Sequence, residues 1–138
     1  MRIFLDANVL FSAARSDGAI RELLRLLIEG NHQLMADTYV TTEAARNIAA
    51  KAPHAVGDLD QLLTIVSVQG LLRRPADAES GLLEWLHEKD RPVLLAAMAL
   101  HCNVLVTGDK THFGPGYGRT FGGVTIHSPA MLAEALLT

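Results

Sequence analysis

Apolar positions along this chain follow two alternating patterns, short continuous runs and longer stretches with a recurrence of three to four residues. Arg2 to Leu5 is a strand-like run that ends at Asp6. Ala19 to Glu29 carries Ile20, Leu23, Leu24, Leu27 and Ile28 on one helical face, and Gly30 closes it. Gln33 to Ala36 predicts a second strand, and Asp37 or Thr38 can cap the helix that follows to about Ala50. Pro53 breaks that helix, another is predicted over Val56 to Leu63, and β-branched Thr64 to Val68 predicts a short strand. Asp77 to His87 has a helical period, with Leu82, Leu83 and Leu86 as its apolar face. Asp90-Arg91-Pro92 combines an acidic cap with proline in the first turn, opening a helix over Val93 to His101. That segment is apolar on nearly all sides, as a central buried element would be. Asn103 to Thr107 is a buried-strand pattern ending in Gly108-Asp109. Gly114 to Gly123 holds five glycines and Pro115 and predicts a loop, before a strand at Val124 to His127 and a helix at Pro129 to Leu137.

Strands separated by helices predict a parallel sheet covered on both faces, a three-layer α/β domain. At 138 residues the expectation is one domain over 1–138, long enough to bury a core without disulfide or metal. The single cysteine, Cys102, excludes a disulfide framework and any multi-cysteine zinc site. The N-terminus meets a carboxylate at its sixth residue and lacks the apolar region of a signal peptide. The longest uncharged run, Pro92 to Gly108, is interrupted by His101 and Asn103 and is short for a membrane span. The expectation is a cytoplasmic protein with no membrane partner.

In open parallel sheets the working edge lies beyond the carboxyl ends of the strands. Asp6 and Asp109 follow strands and point into that edge; Asp90 starts the helix leading to the strand before Asp109. Glu43 lies in the helix after the second strand. Each acid has a structural explanation: Asp6 and Asp90 as helix caps, Glu43 as a solvated partner of Arg46 or Asn47, Asp109 as turn chemistry. Capping does not explain why acids from distant parts of the chain flank the same edge. Converging carboxylates repel unless one holds a proton or a cation lies between them. An all-oxygen cluster suits Mg²⁺ or Mn²⁺.

Four segments, Phe-Leu-Asp-Ala-Asn-Val-Leu (4–10), Glu43, Asp-Arg-Pro-Val-Leu-Leu-Ala-Ala (90–97) and Val-Leu-Val-Thr-Gly-Asp-Lys-Thr-His-Phe (104–113), resemble PIN-domain ribonucleases. The nearest branch in pattern is the VapC-like toxins of prokaryotic toxin–antitoxin systems. The resemblance runs through nearly the whole chain and is weakest between Lys51 and Asp77. It implies an α/β/α fold with a five-stranded parallel sheet and a metal-dependent endonuclease site. Position by position, it makes Asp6, Glu43, Asp90 and Asp109 the catalytic and metal-binding quartet, supported through hydrogen bonds by Asn8 and Thr107. Many members carry another acid three residues after the fourth; this chain has His112, which could bind metal, contact RNA or face solvent, the last two being favoured. Ala44 stands where leucine often follows the glutamate.

The resemblance further implies hydrolysis of RNA with 5′-phosphate and 3′-hydroxyl products, a homodimer, and an antitoxin partner. Arg15, Arg46, Arg91, Lys110 and Arg119 are candidate phosphate contacts. The alternative is a PIN-like RNA- or protein-binding module without catalysis. A phosphorylated receiver domain would need an acidic pair after its first strand, and a haloacid-dehalogenase-type phosphatase would need an aspartate where Asn8 stands. The formal charge of −3 excludes a strongly basic coat. Setting the four site acids aside leaves eleven acidic residues against twelve cations, nine of them arginine, so the acidity resides in the proposed site.

Overall fold

The computed structural model describes residues 1–70 and 81–137. Its strands are β1 (Arg2–Leu5), β2 (Gln33–Asp37), β3 (Ser67–Gln69), β4 (Val104–Val106), β5 (Thr120–Phe121) and β6 (Val124–His127). The helices are α1 (Ala7–Arg15), α2 (Ala19–Glu29), α3 (Thr38–Lys51), α4 (Val56–Leu63), α5 (Arg91–Ala99) and α6 (Pro129–Leu137). The sheet order is β3-β2-β1-β4-β6-β5. The first five of these are mutually parallel, as expected, and the two-residue β5 adds an antiparallel edge to β6.

β1 lies at the middle of this order because Ile3, Phe4 and Leu5 are fully buried, side chains on both faces of the strand being covered. Its register pairs Ile3 with Leu34 on one side and with Val104 on the other. After β1 the chain moves outward through β2 and β3, then returns to the other side of β1 for β4. The sheet therefore has its topological switch point between the carboxyl ends of β1 and β4. α1 packs on α2, α3 and α4, while α5 packs on β4 and β6. Among the described residues no helix is long and apolar enough to cross a membrane. Cys102 is buried, and burial pushes its thiol up to about 11, so it is an unreactive core residue at neutral pH.

Three local expectations are corrected. Of the helix expected over Asp77 to His87, residues 77–80 lie outside the described residues, and from Gly81 onward the chain forms short turns. Leu83 and Leu86 are buried but Leu82 is 42% exposed. The three-residue spacing of the two buried leucines is met by a single turn, closed by Leu86 N–H donating to the Leu83 carbonyl at 3.0 Å. The glycine-rich segment is more ordered than a loop: Gly114–Gly116 forms a 3₁₀ turn and Thr120–Phe121 pairs with β6. Gly122 and Gly123, at φ +54° and +85°, make the two-residue hairpin turn in which left-handed backbone matches the strand twist. β3 starts at Ser67, later than expected, since Thr64 and Ile65 still close the end of α4 through bonds to Gln61 and Leu62.

Candidate active site

Asp6 ends β1 and caps α1. Its backbone N–H still bonds the Val106 carbonyl at 3.1 Å, and its Oδ1 accepts from Ala7 N–H at 2.8 Å. The second oxygen, Oδ2, accepts from the Thr107 hydroxyl at 2.7 Å and from Asn8 Nδ2 at 3.2 Å. Asn8 Oδ1 in turn accepts from Gly108 N–H at 2.8 Å. A Cβ on Gly108 would lie 3.3 Å from that oxygen, a tight approach to which the Asn8 side chain would have to yield by a few tenths of an ångström. Thr107 is fully buried; its hydroxyl accepts from Asp109 N–H, and its carbonyl accepts from the Tyr117 hydroxyl at 2.8 Å. These bonds tie the ends of β1 and β4 together at the switch point. They place Asn8 and Thr107 around the Asp6 carboxylate.

A cleft of about 170 Å³ opens over this junction, and Asp6, Glu43, Asp90 and Asp109 all line it. Burial holds the Asp6 carboxyl up at about 6. Thr107 and Ala7 oppose that through hydrogen bonds to the anion, whereas the charges of Glu43 and Asp90 add to it. The four acids arrive from four elements: the β1 end, α3, the start of α5 and the turn after β4. Asp109 Oδ1 accepts from His112 N–H at 3.0 Å, which curls the turn back on itself.

Two sequence expectations change here. Asp90 occupies the capping position of α5 but makes no capping bond, since its backbone is helical there and its side chain turns into the cleft. His112 does not simply face solvent. The Asp109 turn carries it inward, so that Nδ1 lies 2.7 Å from Asp90 Oδ2 and 3.4 Å from Asp109 Oδ2. Asp90, Asp109 and His112 each bring a ligand atom within 4.8 Å of the others.

The basic candidates are dispersed. Arg46 lines a groove that adjoins the cleft through Tyr39 and Glu43. Arg91, whose Nε donates to the Leu86 carbonyl at 2.9 Å, lines another that adjoins it through His112. Lys110 follows Asp109 without lining the cleft. Arg15 lies at the far end of α1 from Asp6, over the Phe11 ring, and Arg119 lies over the Phe121 ring. Residues not anticipated as site components also line the cleft: Tyr39, Asn47 and Lys89. Tyr39 and Asn47 are one helical turn before and after Glu43, so the spacing i−4, i, i+4 carried a signal for them. Lys89 adjoins Asp90, and its carbonyl accepts from the Tyr39 hydroxyl at 3.0 Å.

Among solved structures, VapBC2 from Rickettsia felis, bound to a DNA fragment from its promoter, superposes with a TM-score of 0.69 at 17% identity, covering 93% of this chain and 98% of that one. VapC20 of Mycobacterium tuberculosis, a sarcin–ricin-loop-cleaving toxin, gives 0.56 at 18% identity, covering 86% and 98%. VapBC-1 of nontypeable Haemophilus influenzae gives 0.61 at 14% identity, covering 94% and 99%. At these identities the likeness is one of fold. No curated protein matches the sequence. The family model of the PIN domain matches residues 2–111 of the 138, from the first strand through the turn that carries Asp109, and the chain therefore belongs to the PIN-domain family.

Proposed function

We propose that this protein is a divalent-metal-dependent endoribonuclease, the toxin of a toxin–antitoxin pair. The observation that carries this reading is the convergence of four carboxylates on one cleft, with Asp6 pushed up to about 6 by burial and by its neighbours. A cation in the cleft would relieve that repulsion, and a carboxylate-rich donor set fits Mg²⁺ or Mn²⁺. Asp6, Asp90 and Asp109 are the residues to hold it, with Glu43 as a further ligand or the group that orients water. When bound, the ion acidifies water and neutralises charge on the phosphoryl oxygens.

The chain's own groups divide the remaining work. Asn8 and Thr107 fix the Asp6 carboxylate through Oδ2, so that it does not reorient when substrate enters. Lys89 in the cleft, with Arg46 and Arg91 in the adjoining grooves, supplies positive charge to phosphates on the substrate path. RNA as substrate fits the sequence resemblance, and one structure of this fold is a toxin that cleaves the sarcin–ricin loop. The same resemblance supports a cytoplasmic homodimer inhibited by an antitoxin.

The test is direct. Purified protein with Mg²⁺ or Mn²⁺ should cut RNA into fragments with 5′-phosphate and 3′-hydroxyl ends, and excess EDTA should stop the reaction. RNA left intact with both ions, or cleavage indifferent to chelator, overturns the reading.

A further inference from the structure

His112 Nδ1 and Asp90 Oδ2 lie 2.7 Å apart, yet the two are not aligned as a hydrogen bond. Both atoms are shielded from solvent and neither has another hydrogen-bond partner. As an ion pair this contact needs a protonated imidazole; with a neutral imidazole the same two atoms are placed to share a cation. The Asp109 Oδ2 atom, 3.4 Å from the same nitrogen, completes a converging triad. Adjacent ligands of an octahedral ion with bonds of 2.0–2.1 Å are spaced at about 2.9 Å, so the two observed separations bracket what a shared cation requires.

The ring is also held in place. His87 stacks on His112 with centroids 5.1 Å apart and planes 14° apart, while the Asp109–His112 turn fixes its backbone. The imidazole therefore presents Nδ1 to the two carboxylates in a set orientation.

We propose that His112 is a direct metal ligand, which makes the Asp90–Asp109–His112 centre a mixed nitrogen–oxygen site selective for a first-row transition ion over Mg²⁺. The proposal rests on the metal-nuclease reading above and specifies the ion that the cleft takes. Imidazole nitrogen favours borderline ions, whereas Mg²⁺ favours oxygen and sheds its water reluctantly.

Mn²⁺ and Mg²⁺ are the probes, used with the metal-free full-length chain and no RNA. Mn²⁺ bound to wild type should show imidazole nitrogen coupling in pulsed electron paramagnetic resonance. The coupling should vanish in His112→Ala, with Mn²⁺ affinity falling about tenfold or more. His112→Asp should lose the coupling as well and narrow the preference for Mn²⁺ over Mg²⁺. Wild-type Mn²⁺ binding without nitrogen coupling, or equal Mn²⁺ affinity in His112→Ala, overturns the assignment of His112 and leaves the metal-nuclease reading intact. Failure of wild type to bind either ion overturns both.

Discussion

Asp6→Asn is expected to lower RNA cleavage by about 10³-fold or more, because it removes the most buried charge of the site and nearly nothing of its shape. The same substitution should change how stability depends on pH. In the folded, metal-free chain the Asp6 carboxyl takes up its proton at about 6, against 3.8 ordinarily. A carboxyl raised in this way favours folding when protonated, fully below pH 3.8, and that contribution is lost as the pH rises through 6. Lowering the pH from 7 to 5 should therefore stabilise metal-free wild type by roughly 1 kcal/mol relative to Asp6→Asn. The asparagine also places an amide against the Asn8 amide donor, but that cost is constant with pH and leaves the slope unaffected. Urea titrations of both proteins at the two pH values measure the difference. Full cleavage by Asp6→Asn would remove Asp6 from the catalytic set, and equal pH dependence would place its carboxyl in ordinary solvent.

Phe113→Ala is expected to destabilise the fold by about 3–5 kcal/mol, the usual cost of emptying a fully buried aromatic site. Phe113 is completely buried and directly follows His112, and its N–H donates to the Asp109 carbonyl at 3.0 Å. It thus anchors the turn that carries both Asp109 and His112. For a small domain that loss is a large share of total stability. The shift in urea midpoint measures it. Phe113→Leu, which fills most of the space, should cost only a fraction as much. A loss under about 1 kcal/mol for Phe113→Ala would show that the turn is held by other contacts.

Much of the architecture was legible along the chain because each element states its own period. The helix at Ala19–Glu29 keeps its bounds and its closing glycine, and Leu23, Leu24 and Leu27 of its apolar stripe are buried, while Ile20 is partly covered and Ile28 is exposed at the stripe's edge. Val104–Val106 is apolar at every position, the mark of a strand buried on both faces. The segment before Asp90 was less legible, because leucines three apart satisfy a turn as well as a helix. The β5–β6 hairpin was hidden for a different reason. Its strand is two residues long, and glycines at 122 and 123 suit a loop and a tight turn equally.

The candidate site divides along the same line. Asp6 and Asp109 at strand ends, Asp90 before a proline-opened helix and Glu43 on a helix after a strand were all assignable from local pattern, since the fold class states which edge they share. Asn8 and Thr107, the partners of Asp6, followed from the family resemblance, but the partner of Asp90 did not. Asp90 had every sequence mark of a helix cap, and only the packed chain turns its carboxylate away from the α5 amides towards His112. The stacking of His87 on His112 joins residues 25 apart in the chain. Periodicity and capping are short-range and can be read from neighbours, so the chain alone determines its elements, their order and the edge where its acids gather. Which atoms meet at that edge depends on long-range packing between β1, β4, α3 and the turn after Asp109, and no local pattern encodes distances of that kind.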